Sequence, residues 1–238
     1  MSAADVPALR GGRRRASSAV LVLHGGREQS RDRAAQLHPA YLRMVDLYLG
    51  LRRQSVDCAV YLLLHRLRGW NESERPDPVL DARWALEQIR LRHGDIPVAL
   101  LGHSMGGRTA FAVADDPQVA GVCALAPWLP DGEPLITTRP DQKFVIAHGT
   151  ADTVTSATLS HEYADRLRRN GASIAWYGLS GARHALLQRP RLWHLFAVST
   201  TLGISGETAL PGDVEKALMD ESPDLAWRRL NAFASRHD

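Results

Sequence analysis

The stretch VALLGHSMGGRTAFAV, Val98 to Val113, changes character in its middle. Four apolar residues run into Gly102. Then come His103, Ser104, Met105, Gly106 and Gly107, and after them a helical pattern. A buried strand turning at once into a helix needs a sharp joint. Glycines two residues either side of a serine let neighbouring chain pass close and lift the hydroxyl out of the turn. The rest of the sequence decides whether such a serine has what it needs to react.

The alternation around this joint sets the fold class. SAVLVLHGG, VDCAVYLLLHR, IPVALLG, VAGVCALAP, KFVIAHG and SIAWYGL read as buried strands. Between them, PAYLRMVDLYLGLRRQ has apolar residues at helical spacing (Leu42, Val45, Leu49). DPVLDARWALEQIRLRHG reads as a helix with Asp77 as N-cap, Pro78 at its first position and Gly94 past its end. SMGGRTAFAVADD, SATLSHEYADRLRRNG and RPRLWHLFAVSTTLG complete the helices. The expectation is an α/β three-layer sandwich: one mostly parallel sheet of about six strands, helices on both faces, and no large cap domain.

The chain of 238 residues, 45% hydrophobic, suits one domain with a large core. Residues 1–17 read as a flexible arginine-rich tail and 18–238 as the domain. Within it, residues 204–238 form a helical extension. There Ser222-Pro223 would start a helix whose apolar face is Ala226, Leu230, Phe233 and Ala234. That face either packs on the same domain or supports a homodimer. The net charge of +3 is carried almost wholly by arginine, since Lys143 and Lys216 are the only lysines. Apart from Arg10 and Arg13 to Arg15, the basic residues are spread along the chain, which argues against nucleic-acid binding. No apolar run is long enough to cross a membrane, so a cytoplasmic location is expected. Cys58 and Cys123 sit in apolar runs and read as reduced core residues with no zinc spacing.

A serine hydroxyl needs a base. His184, a few residues after SIAWYGL, falls at the same sheet edge as Ser104. His103 is adjacent in sequence but points elsewhere from a tight turn. His148 ends a strand and reads as a packing or loop-fixing residue; His65, His161 and His194 lack a suitable placement. The base needs an acid to hold its tautomer. Asp152, in AHGTADTVTS, is favoured over Asp131 because its glycine-flanked turn can aim it. A developing oxyanion needs fixed N–H donors. Met105 supplies one and Gly26, at the end of LHGG, the other, with Arg27 next.

VLHGG, LGHSMGG, HGTADTV and ARHALL, in this order, resemble the α/β-hydrolase superfamily over about residues 18–203. The single-domain form looks closest to the dienelactone-hydrolase-like and small-carboxylesterase branch. Dienelactone hydrolases proper carry a cysteine where this chain has Ser104. The resemblance implies a serine hydrolase that cleaves a carboxylic ester or thioester through Ser104, His184 and Asp152, with no metal or cofactor and a small-molecule substrate. A non-catalytic ligand-binding protein and an acyltransferase are the alternatives. Only WLPDGEPLITTRPDQ stands where many members carry a cap, so the site should be shallow. Arg27, Trp70, Trp128 and Leu129 are the candidate substrate contacts, although each tryptophan serves equally well as a loop anchor.

Overall fold

A computed structural model describes residues 6–220, 222 and 225–230. Its sheet has eight strands in the order β1-β3-β2-β4-β5-β6-β7-β8. These are β1 (Ala8–Gly11), β2 (Ser18–Leu23), β3 (Cys58–Leu64), β4 (Val98–His103), β5 (Val119–Leu125), β6 (Lys143–Gly149), β7 (Ile174–Leu179) and β8 (Arg228–Arg229). All pair in parallel except β1, which runs antiparallel to β3. The six inner strands are those expected.

The two outer strands correct the expected count. Residues 8–11 lie within the stretch read as a flexible tail, yet they pair with Tyr61 to Leu64. At the other edge, Arg228 and Arg229 pair with Tyr177 and Gly178, where a helix was expected from Ser222. Ala226 is not helical and Leu230 is buried in a turn. Pro223, Phe233 and Ala234 of that expected helix lie outside the described residues.

The inner strands are mainly apolar, with polar residues largely at or near their ends, because both faces are covered. Alternate residues of β2 go to opposite cores: Val20 and Val22 to one, Ala19, Leu21 and Leu23 to the other. The first core is closed by α1 (Pro39–Gln54), α5 (Pro190–Ser205) and α6 (Gly212–Leu218), the second by α2 (Asp77–His93), α3 (Met105–Ala112) and α4 (Ala157–Arg169). In α1 the buried stripe is Tyr41, Met44, Leu47, Tyr48 and Leu51, and the expected Leu42 is 48% exposed. The buried face is shared by two tyrosines, a methionine and two leucines, and runs beside the stripe of Leu42, Val45 and Leu49. Pro76, not Asp77, is the N-cap of α2, with Asp77 the first helical residue. The Asp77 carboxylate accepts a hydrogen bond from Asn71 Nδ2 at 2.8 Å. Gly94 closes the helix at φ 78° as expected. Among the described residues no helix is long and apolar enough to cross a membrane.

Candidate active site

Parallel strands present their C-terminal ends along one edge, and the loops leaving that edge gather the polar side chains. Ser104 stands between β4 and α3 with φ 57° and ψ −121°. For a residue with a Cβ this backbone is strained, and it persists only where the surroundings fix it. Here they do: the Ser104 N–H donates to Leu125 O, and Ser104 O accepts from Gly107 N at 3.0 Å and Trp128 N at 3.0 Å. The flanking glycines are needed for close approach. A Cβ on Gly102 would lie 2.2 Å from Gly106 O, and one on Gly106 would lie 2.3 Å from Leu23 O.

His184 reaches this serine from the loop after β7, its Nε2 lying 3.0 Å from Ser104 Oγ. Its Nδ1 is 2.8 Å from Asp152 Oδ2. Asp152 is fixed by its own turn, since Oδ1 accepts from Val154 N at 2.8 Å and Thr155 N at 3.0 Å. Burial alone would raise the pKa of this carboxyl. Hydrogen bonds from His148, His184 and the Thr155 and Val154 amides outweigh burial and hold it well below the usual carboxylate range. Asp131 is exposed. The structure thus brings Ser104, His184 and Asp152 into one hydrogen-bonded line.

His103 does turn away from Ser104, but it is not idle. Its Nε2 lies 2.9 Å from the backbone oxygen of His184, which makes it the donor there. Burial, then the neighbouring His184, pushes its pKa well down, so it stays neutral. Arg43 Nε donates to Ala185 O at 2.8 Å, a second tie on the same loop. On the Gly26 side, His24 Nδ1 lies 2.7 Å from Gly25 O, while His24 Nε2 accepts from His65 N at 3.2 Å. Burial, then the nearby His65, lowers the pKa of His24 to about 3.

A pocket of about 670 Å³ opens over Ser104, lined by Gly26, Arg27, Glu28, Gln29, Met105, Trp128, Val154 and Thr155. Gly26, Arg27, Met105 and Trp128, all named from the sequence, border this space. The Arg27 N–H donates to Arg68 O at 2.7 Å and so is not free for a substrate oxygen. Trp70 and Leu129 do not line the pocket. Leu129 is 3% exposed and belongs to the core under α3. Trp70 is buried beneath Arg108, whose guanidinium carbon lies 4.0 Å from its ring centre and 4.5 Å from that of Trp128. Arg108 also grips Glu133 through two contacts, at 2.8 and 2.7 Å. This stack joins three segments far apart in sequence, and only the packed chain reveals it.

A parallel sheet covered on both faces, with a serine on a strained strand-to-helix joint at its C-terminal edge, is the plan of an α/β hydrolase. The chain belongs to the family of the alpha/beta hydrolase fold, whose model matches residues 19–161. No curated protein sequence matches it significantly. Among solved structures it is similar to an α/β serine hydrolase homologue from Coxiella burnetii (16% identity, TM-score 0.62, 81% of this chain and 89% of that one). It is also similar to a lid-less α/β serine hydrolase from Xanthomonas campestris (13% identity, TM-score 0.61, 84% and 86%). An acetyl ester-xyloside bifunctional hydrolase from Caldicellulosiruptor lactoaceticus shares the fold at 17% identity (TM-score 0.55, 80% and 85%).

Proposed function

We propose that this protein is a serine hydrolase that cleaves a carboxylic ester or thioester through an acyl-enzyme. The observation that carries this reading is the line Ser104 Oγ, His184 Nε2, His184 Nδ1, Asp152 Oδ2, with steps of 3.0 and 2.8 Å at its two ends. His184 takes the Ser104 proton as Oγ attacks the carbonyl carbon, and the carbonyl π electrons move onto oxygen. Asp152 keeps Nδ1 protonated and stabilises the imidazolium. The oxyanion is met by the amides of Met105, at the start of α3, and Gly26. His184 then gives its proton to the departing alcohol or thiol, and water repeats the cycle on the acyl-enzyme. The pocket is open and short of apolar wall, which favours small acyl groups.

The test is hydrolysis of p-nitrophenyl acetate together with labelling by a fluorophosphonate. Wild-type protein should do both, and Ser104→Ala neither. A protein that binds esters without turning them over, and leaves Ser104 unlabelled, is a ligand-binding member of the fold and refutes the proposal.

A further inference from the structure

Asp152 serves two histidines, not one. His148, the penultimate residue of β6, is fully buried, and its Nε2 lies 3.2 Å from the same Oδ2 that meets His184. A carboxylate oxygen only accepts, so the nitrogen facing it carries a proton. Thr155 Oγ1 sits among all three groups, 3.0 Å from Asp152 Oδ2, 3.2 Å from His148 Nε2 and 3.1 Å from His184 Nδ1.

The far side of the ring is equally constrained. His148 Nδ1 lies 2.8 Å from Ser160 Oγ, which also accepts from Trp176 Nε1 at 3.0 Å. The Ser160 hydroxyl has a second outlet, Ala157 O at 2.9 Å. With His148 neutral, the hydroxyl proton points at Nδ1. With His148 cationic, Nδ1 donates and the hydroxyl turns to Ala157 O. Either way Nε2 keeps its proton toward Asp152, and no heavy atom has to move. A histidine kept only for packing has no need of such a rotor.

We propose that His148 is a positioning residue for the reaction. By donating to Asp152 Oδ2 it aims the carboxylate and shares its charge, and so limits how strongly the acid pulls on the proton of His184. This rests on the hydrolase reading above. The titratable and charged groups facing this array are Asp152 and His184 themselves, His103 of β4 against His184 (ring centres 4.8 Å apart), and Arg43 of α1 beyond it. Of these, only His184 also meets Asp152 Oδ2; the remaining donor to that oxygen is the uncharged Thr155 hydroxyl at 3.0 Å, and neither takes the direction from which His148 approaches.

Removing the donor leaves more of the carboxylate's charge to His184, so His184 holds its proton to higher pH. The experiment compares wild type, His148→Phe and His148→Gln. Phenylalanine keeps a ring of similar size without the donor, and glutamine places an amide N–H where Nε2 was. In His148→Phe, kcat for p-nitrophenyl acetate should fall about tenfold, the loss of one charge-assisted hydrogen bond to the acid, with KM little changed. The acidic limb of kcat/KM should move up by about half a pH unit. His148→Gln should recover most of both. A wild-type limb and kcat in His148→Phe would overturn the proposal, and so would equal damage in the two variants, which would mean packing alone. The 15N NMR spectrum of the labelled imidazoles reads the same contact without turnover. His148 Nε2 should be protonated throughout the pH range of the folded wild type, and an unprotonated Nε2 overturns the proposal even if His148→Phe does not fold. An enzyme that hydrolyses no ester but shows this proton refutes the hydrolase reading and leaves the contact standing.

Discussion

Two histidines near the site are held neutral by burial, and this gives the fold a measurable weakness in mild acid. His24 has its pKa lowered from 6.5 to about 3, with burial the largest cause. The unfolded chain therefore binds a proton at this residue that the native protein refuses. Stability rises with pH wherever the unfolded state binds more protons, so it is full above 6.5 and lost progressively as pH falls toward 3. Each such group costs about 1.4 kcal/mol per pH unit in the middle of that window. Between about pH 6 and 4.5, His24 alone accounts for about 2 kcal/mol. His103 is pushed down in the same direction and for the same first cause, so its contribution has the same sign. Asp152 stays out of this window: its pKa is depressed below the ordinary 3.8, so its contribution is lost only as pH falls below that value. The assay is urea unfolding at several pH values, on wild type and on His24→Asn, which keeps an N–H donor near Gly25 O but does not titrate. The variant should lose about 2 kcal/mol less than wild type between about pH 6 and 4.5. If both lose the same amount, His24 is not held neutral in the native protein and the reasoning fails.

Asp152→Asn should lower kcat by about three to four orders of magnitude, by the logic that the acid sets the base's tautomer; if Asp131→Asn does the greater damage, the acid lies on the other loop. In an open site each methylene left unburied forgoes about 0.8 kcal/mol, so p-nitrophenyl esters of about two to six acyl carbons should be cleaved best. A maximum of kcat/KM at about twelve carbons or beyond would reveal a deep acyl tunnel. Arg108→Ala removes a pair whose side chains are only 13% and 11% exposed and strands Glu133. It should cost about 3 kcal/mol in unfolding experiments. It should also flatten the acyl-length preference by freeing Trp128, and unchanged selectivity would show that the stack does not set the pocket wall.

The parts of the fold that were legible in the sequence are those whose burial leaves a pattern. The six inner strands read as mainly apolar runs because helices cover both faces, and α1 was legible as a helix although its buried face is not the stripe of Leu42, Val45 and Leu49. β1 and β8 were not legible. Ala8–Gly11 and Arg228–Arg229 join the sheet through backbone pairing while most of their side chains stay at the surface. A strand that buries so little leaves too weak a hydrophobic signal to read. The placement of Ser104, Asp152 and His184 at one edge followed from strand order. The second tie on Asp152 did not, because a histidine ending a strand reads the same whether it packs or donates. Arg108 with Trp70 and Trp128 was hidden for another reason: one helix and two loops supply it, and no local spacing links them.

The short strand β1 has a consequence for handling the protein. It occupies one side of β3, and Arg13 adds a bond to Val56 O just beyond. Trimming the first seventeen residues as a dispensable leader would strip that cover from Cys58–Leu64, the sequence CAVYLLL. Seven apolar residues without charge or proline would then offer a bare row of amides and carbonyls to any other chain. A shortened protein should keep its site chemistry and lose its colloidal stability, precipitating as its concentration rises while the full chain stays dispersed.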